Sequence, residues 1–337
     1  MHIPVAIQET NTTAAVSTGE LPSAEQVLSL IETVHDTYRS VDEGAVADYI
    51  PALANADPSL FGICMAGVRG LSFGVGDALH EFSIQSISKA FVFALVCDVV
   101  GHEEAREKLG VNATGLPFNS VMAVELNEDR TMNPMVNAGA MATTSLVPGN
   151  TPDEQWSFIV DGLSRFAGRP LVLDQEVYIS ESHTNLRNQG IAHLLESYGR
   201  LYSDPDETTD VYTRQCSLLV TATDLAVMGS TLANGGVNPV TGEQVIEAHN
   251  CKHVLAAMAT AGLYEHSGDW LYEVGLPGKS GVSGGIVTIS PGKGGLGTFS
   301  PPLDAAGNSV RGQRATRHLA EGLGLSVFAS KPLAAGG

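Results

Sequence analysis

Three features of the sequence predict a mixed α/β (α+β) fold in which a helical lobe is inserted into a sheet-containing one. Short apolar runs flank a glycine turn at 60–76. Helical patterning then dominates residues 100–255. Strand character returns at Gly285–Ser290 and Gly295–Phe299, just before a last helical stretch. A chain that leaves strands and comes back to them builds one α/β lobe from both its ends. The expected boundaries are about 45–90 and 255–330 for the α/β lobe and about 91–254 for the helical lobe. No linker is rich enough to separate independent domains, so 21–337 is read as one two-lobed domain. A cleft between two lobes is a natural place for a small-molecule site.

The elements follow in order. Residues 1–20 are small and polar and read as a flexible N-terminal arm. A helix starts at Ser23: Gln26 makes a capping box, and Val27, Leu28, Leu30, Ile31 and Val34 supply an apolar face. Between Leu60 and Gly76, Gly67-Val68-Arg69-Gly70 provides the turn of a β-hairpin. The apolar run Ala90–Val100 predicts a buried helix behind a turn. In the middle, Asp153–Phe166 and Thr221–Asn234 are the clearest helices. The second opens on a Thr221/Asp224 capping box and ends at the C-cap signal Asn234-Gly235-Gly236. Asp204-Pro205-Asp206-Glu207 reads as a solvated loop and Pro239–Gly242 as a turn. Gly312–Gly322 reads as a closing helix.

Composition narrows the function classes. The chain has 337 residues, 43% hydrophobic and 16% charged, ample for a sizeable core. Its 37 acidic residues against 18 basic give a net charge of -19, with no Lys/Arg cluster, which argues against nucleic acid or an anionic membrane as partner. Cys64, Cys97, Cys216 and Cys251 are too scattered for a metal pair or a disulfide framework. The N-terminus lacks a signal-peptide pattern, and the longest apolar run is too short to cross a bilayer. The expectation is a soluble, cytoplasmic protein. The ten histidines are dispersed and none is assigned to a metal; His183 alone merits watching.

Chemistry concentrates at Ser86-Ile87-Ser88-Lys89. Residues i and i+3 share a helix face, so the Ser86 hydroxyl and the Lys89 amine can meet. A serine hydroxyl needs a base to become nucleophilic, and a lysine desolvated at a buried helix start can be that base. This is the S-x-x-K arrangement of acyl-transfer enzymes. A second copy, Ser290-Pro291-Gly292-Lys293, reads as a turn. Lys279-Ser280-Gly281 stands at a glycine-rich strand edge, and K-[ST]-G is the usual partner of S-x-x-K in penicillin-recognising enzymes. A P-loop reading of Gly278-Lys279-Ser280 fails because its first glycine would fall at Glu273. The helical middle lacks S-D-N, which argues against a β-lactamase or transpeptidase proper.

With these motifs the sequence resembles the serine-dependent glutaminases, which share the β-lactamase/transpeptidase-like fold. The resemblance runs through Phe82–Lys89, Asn133–Ala140, Ser180–Asn188, Leu232–Gly236, Gly275–Gly285, Ser300–Asp304 and Gly307–Ser309, in family order over roughly 25–325. It implies an antiparallel sheet flanked by helices and hydrolysis of L-glutamine to L-glutamate and ammonia, without cofactor or metal. It implies Ser86 as nucleophile and Lys89 as general base, with Tyr49 and Tyr264 as tyrosines that relay protons or orient Ser86. The backbone N–H groups of Ser86 and Val282 would form the oxyanion hole. Asn137, Glu181, Asn188 and Tyr212 would grip the amino acid's α-ammonium and α-carboxylate. A homodimer or homotetramer is also implied. Two other readings stay open on the residues alone: a penicillin-recognising hydrolase or esterase of the same fold, and a non-catalytic amino-acid sensor.

Overall fold

In the computed structural model, residues 20–329 are described; the expected N-terminal arm lies, but for Glu20, outside them. In chain order the elements are α1 (Ala24–Tyr38), β1 (Gly62–Gly67), β2 (Ser72–Gly76), β3 (Phe82–Ser83), α2 (Ser88–Val100), α3 (His102–Leu109) and α4 (Val121–Leu126). Then come α5 (Asn137–Thr144), α6 (Pro152–Ala167), α7 (Gln175–Thr184), α8 (Leu186–Ser197), α9 (Pro205–Cys216), β4 (Leu219–Val220) and α10 (Ala222–Ala233). The chain closes with α11 (Ala248–Ala261), α12 (Ser267–Glu273), β5 (Gly278–Ser280), β6 (Gly285–Ser290), β7 (Gly294–Phe299) and α13 (Val310–Gly322).

The main sheet has five strands in the order β2-β1-β7-β6-β5, every pair antiparallel. The hairpin β1–β2 comes from the N-terminal part and β5–β7 from the C-terminal part. The two meet where Ile63 faces Thr298 and Met65 faces Leu296. One face is covered by α1 and α13, whose Val27, Ile31, Val34 and Leu319 pack on Ile63, Met65 and Leu296. The other face takes α10, which lies inside the segment expected to form the helical lobe. It approaches so closely that a Cβ on Gly297 of β7 would collide with the Ala222 carbonyl oxygen.

A second core gathers around α2, which is buried from Ser88 to Cys97 because its residues are apolar on every face. Helices α5, α6, α9 and α11 surround it, and Phe91 meets Phe166 with ring centroids 5.1 Å apart. Local signals act as expected at several ends. Ser23 caps α1 and Thr221 caps α10, each with a complete capping box. Ser290–Lys293 turns between β6 and β7.

Two expectations need correction. Asp204–Glu207 is not a loop but the start of α9: the Asp204 carboxylate accepts from the N–H groups of Asp206 and Glu207, and Pro205 occupies the first turn. Asp at the N-cap followed by Pro is a helix start because each satisfies or removes an orphan donor. Ser86 and Lys89 also do not share one α-helix. Ser86 sits in a 3₁₀ turn, Gln85–Ile87, and Lys89 is in the first turn of α2. Among the described residues no helix is long and apolar enough to cross a membrane.

Candidate active site

The nucleophile candidate is set by a strained turn. Gln85 has φ +50°, a left-handed backbone conformation that non-glycine residues seldom adopt. Its neighbours hold it there. The Ser88 hydroxyl donates to its carbonyl at 2.8 Å, and its own side-chain amide donates to Glu181 Oε2 and Ser83 Oγ, each at 3.3 Å. This turn presents the Ser86 side chain to a cavity of ≈ 250 Å³. Tyr49, Ser86, Asn137, Glu181, Asn188, Tyr212 and Val282 all line it. The structure thus brings together seven of the nine sequence-predicted residues on one wall-to-wall surface. The remaining two, Lys89 and Tyr264, lie just behind it.

Lys89 is almost wholly enclosed, at 1% exposure. Its Nζ donates to Asn137 Oδ1 at 2.6 Å, and Asn137 Nδ2 donates onward to Asn188 Oδ1 at 3.0 Å. Asn137 is the first residue of α5 rather than its cap, which frees its amide for this relay. Burial lowers the Lys89 pKa from 10.5 to about 8. Burial acts oppositely on the acid: Glu181 is raised from 4.5 to about 7, partly opposed by the Gln85 hydrogen bond and the Lys89 charge.

Tyr264 has φ +56° and packs against Phe118 with ring centroids 4.5 Å apart. Its phenol hydrogen-bonds with Ser86 and donates to the Ser280 carbonyl at 3.2 Å. Lys279 lies over its ring, 4.4 Å from the centroid, and donates to the carbonyls of Gly262 and Ser280 at 3.0 and 2.7 Å. Burial, and then the charge on Lys89, hold Lys279 well below its ordinary pKa. Burial pushes the phenols of Tyr264 and Tyr212 upward. Tyr49 is different: 57% of its surface is exposed. The packing around its phenol, then the nearby Glu181 carboxylate, still raise its pKa. Val282 sits in the turn after β5, the edge strand that carries Lys279 and Ser280.

The sequence reading missed Gln85, Arg187 and Cys216, which also reach this cavity. Cys216 lies four residues after Tyr212 on α9, so helical spacing from a suspected residue was the available signal. Its thiol is pushed up to about 12 by burial and stays neutral. His183 is exposed at the end of α7. A roomier cleft of ≈ 1030 Å³ lies beside α3 and α11, where His102 and His253 stack with centroids 4.0 Å apart. No serine or cysteine lines it among the described residues, so the smaller cavity is the one equipped for acyl chemistry.

Comparison with known proteins agrees with this geometry. The family model described as Glutaminase matches residues 44–328. "Glutaminase 2" of Yersinia pestis is 60% identical over 317 residues, 94% of this chain and 93% of that protein. A glutaminase of Brucella canis is 50% identical, over 92% of this chain and 98% of that one. Among solved structures, the probable glutaminase ybaS superimposes with a TM-score of 0.90 at 45% identity, covering 92% of this chain and all (100%) of that one. The Bacillus subtilis glutaminase YbgJ, solved as a covalent complex with 5-oxo-L-norleucine, gives a TM-score of 0.79 at 32% identity, over 90% and 99% of the two chains. The antiparallel sheet with its flanking helices is the β-lactamase-like arrangement expected from the motifs. On its sequence, its fold and this cavity, the chain belongs to the glutaminase family.

Proposed function

We propose that this glutaminase hydrolyses L-glutamine to L-glutamate and ammonia through a γ-glutamyl ester on Ser86. One observation carries the mechanism: a buried amine with a pKa of about 8, on Lys89, one turn from a serine that lines the cavity. Near neutrality part of that amine is the free base, ready to take the Ser86 proton as Oγ attacks the side-chain carbonyl carbon. Tyr264 and Tyr49 hold their protons too tightly to act as free bases. They serve instead as hydrogen-bonding relays, and Tyr264, joined to Ser86, orients the hydroxyl. The carbonyl oxygen becomes an oxyanion, stabilised by the N–H groups of Ser86 and Val282; one such donor is worth about 3–4 kcal/mol. The tetrahedral intermediate collapses as the protonated Lys89, directly or through Tyr264, gives its proton to the departing nitrogen, and ammonia leaves. Water then attacks the ester, its proton goes to Lys89, and Ser86 recovers its own as glutamate departs.

The pocket supports this substrate. Glu181, ionised, matches an α-ammonium, while the amides of Asn137 and Asn188 and the phenol of Tyr212 offer polar partners to the rest of the amino-acid head. The covalent complex of YbgJ arose by reaction with 6-diazo-5-oxo-L-norleucine, an electrophile built on a glutamine-like skeleton. Capture of such a ketone in a related enzyme favours a nucleophile in this family's site. Cytoplasmic residence and assembly as a homodimer or homotetramer belong to the same proposal, and sedimentation of the purified protein tests the assembly.

The decisive experiment is ammonia and glutamate release by wild type, Ser86→Ala and Lys89→Ala. The expected result is equal release of both products by wild type and none by folded variants. A folded Ser86→Ala protein with near-wild-type turnover would refute the acyl-enzyme route.

A further inference from the structure

We infer that Arg187 is a specificity-determining residue: its guanidinium meets the α-carboxylate at the mouth of the cavity and selects substrates that carry one. This assignment rests on the glutaminase reading of the same site and extends it. Two observations lead to it.

The first is pairing. In this acidic chain arginines find carboxylates readily. Arg169 clamps Asp224 with two bonds of 2.7 and 2.8 Å, Arg214 bridges Asp153 and Asp210, and Arg317 pairs with Glu273. Arg187 has no carboxylate or carbonyl partner among the described residues. An unpaired guanidinium, a state that Arg187 shares among the described arginines with Arg106 alone, stands out in a chain of net charge -19, where acids outnumber bases slightly more than two to one.

The second is position. Arg187 is in the first turn of α8, exposed, and contributes to the cavity wall beside Asn188. Glu181, on α7, lies buried deeper in the same cavity. The cavity therefore has a negative group inside and a positive one at its mouth. A zwitterionic amino-acid head has the complementary pair of charges. The planar guanidinium donates two parallel bonds to a carboxylate, which the neutral Asn amides and Tyr phenols cannot do with charge assistance. It also supplies local attraction in a molecule whose overall field repels anions.

The test is steady-state kinetics of wild type, Arg187→Gln and Arg187→Lys, each on L-glutamine and on L-glutamine α-amide, which keeps the ammonium but lacks the carboxylate. The expected result is a rise of about tenfold or more in KM for L-glutamine in Arg187→Gln, with kcat within about threefold of wild type. Arg187→Lys should recover part of the loss. The wild-type preference for glutamine over its α-amide should shrink by the same factor in Arg187→Gln. A preference that stays unchanged in a folded variant overturns the assignment, and so does a fall in kcat at constant KM. Absence of turnover in wild type would overturn the glutaminase reading itself, a result distinct from either.

Discussion

The contact between α10 and β7 and the wall around Ser86 are both deeply buried, yet they are built on opposite terms. The first removes side chains so that backbones can touch: Gly295 and Gly297 leave no room for a Cβ against the Ala226 and Ala222 carbonyls. The second encloses groups that water would rather keep. Lys89 and Lys279 are 1% and 0% exposed, and Glu181 sits among them with its pKa raised to about 7. Among the described residues, the only strained non-glycine backbones near the cavity, Gln85 and Tyr264, belong to this second wall. One region gains stability from close packing. The other gives some up to lower the pKa of an amine and hold a hydroxyl in place.

If that contrast is right, Lys89→Met should separate the two properties most sharply. Turnover should fall by at least about 10⁴-fold, because nucleophile and base act as a unit. Stability should rise. A shift from 10.5 to about 8 costs the folded protein ~3 kcal/mol at neutral pH, of which the lost bond to Asn137 offsets a part. Since the folded pKa lies below the unfolded one, the cost is full below pH 8 and fades as pH rises to 10.5. The stability gap between variant and wild type should therefore narrow between pH 7 and pH 10. Denaturant midpoints at both values decide it, and a variant less stable at pH 7 breaks the comparison.

Gly297→Ala tests the other region. The new methyl meets the Ala222 backbone, which cannot swing aside as a flexible side chain can. We expect a loss of about 4 kcal/mol or more, read from the denaturation midpoint or from failure to fold. A soluble protein of wild-type stability would show that α10 can slide on the sheet.

Glu181→Gln ranks next. Loss of the charge opposite the α-ammonium should raise KM about a hundredfold. It should also change the pH profile. In wild type, kcat/KM needs Lys89 neutral and Glu181 ionised. Its logarithm should climb with slope two below about pH 7, slope one from 7 to 8, and then level off. The two groups interact, so the inflections belong to the pair. In Glu181→Gln only the Lys89 limb survives, and slope one should persist below pH 7.

How much of this was legible in the sequence also differs between the regions. Caps, turns and strands of the sheet side follow local rules: Ser23 with Gln26, Thr221 with Asp224, and the glycine turn between β1 and β2 all appear as read. The start of α9 obeyed a local rule too, but its acidic composition suggested a loop. The site was legible through motif blocks rather than periodicity. Asn137, Glu181 and Asn188 share no spacing that would announce a cavity; three different helices bring them together. Gln85, Cys216 and Arg187 escaped because their significance is tertiary. A left-handed glutamine and an unpaired arginine have no signature until their neighbours are known.

Gln85 offers the smallest effect and the finest probe. A non-glycine residue at φ +50° costs on the order of 1 kcal/mol relative to glycine, and Gln85→Gly relieves it. The same change widens the unfolded ensemble and deletes the amide that donates to Glu181. These terms oppose, so stability should move by no more than about 1 kcal/mol. The functional consequence does not cancel. The Gln85 bond favours the ionised carboxylate and, ahead of the Lys89 charge, holds Glu181 down against burial. Without it the Glu181 pKa rises, and the steep lower part of the kcat/KM profile should shift to higher pH. Gln85→Ala, which keeps the strain but loses the amide, should show the same shift with lower stability. Were Gln85→Gly to leave the profile in place, the strained turn would serve Ser86 alone, and Glu181 would owe its ionisation to Lys89.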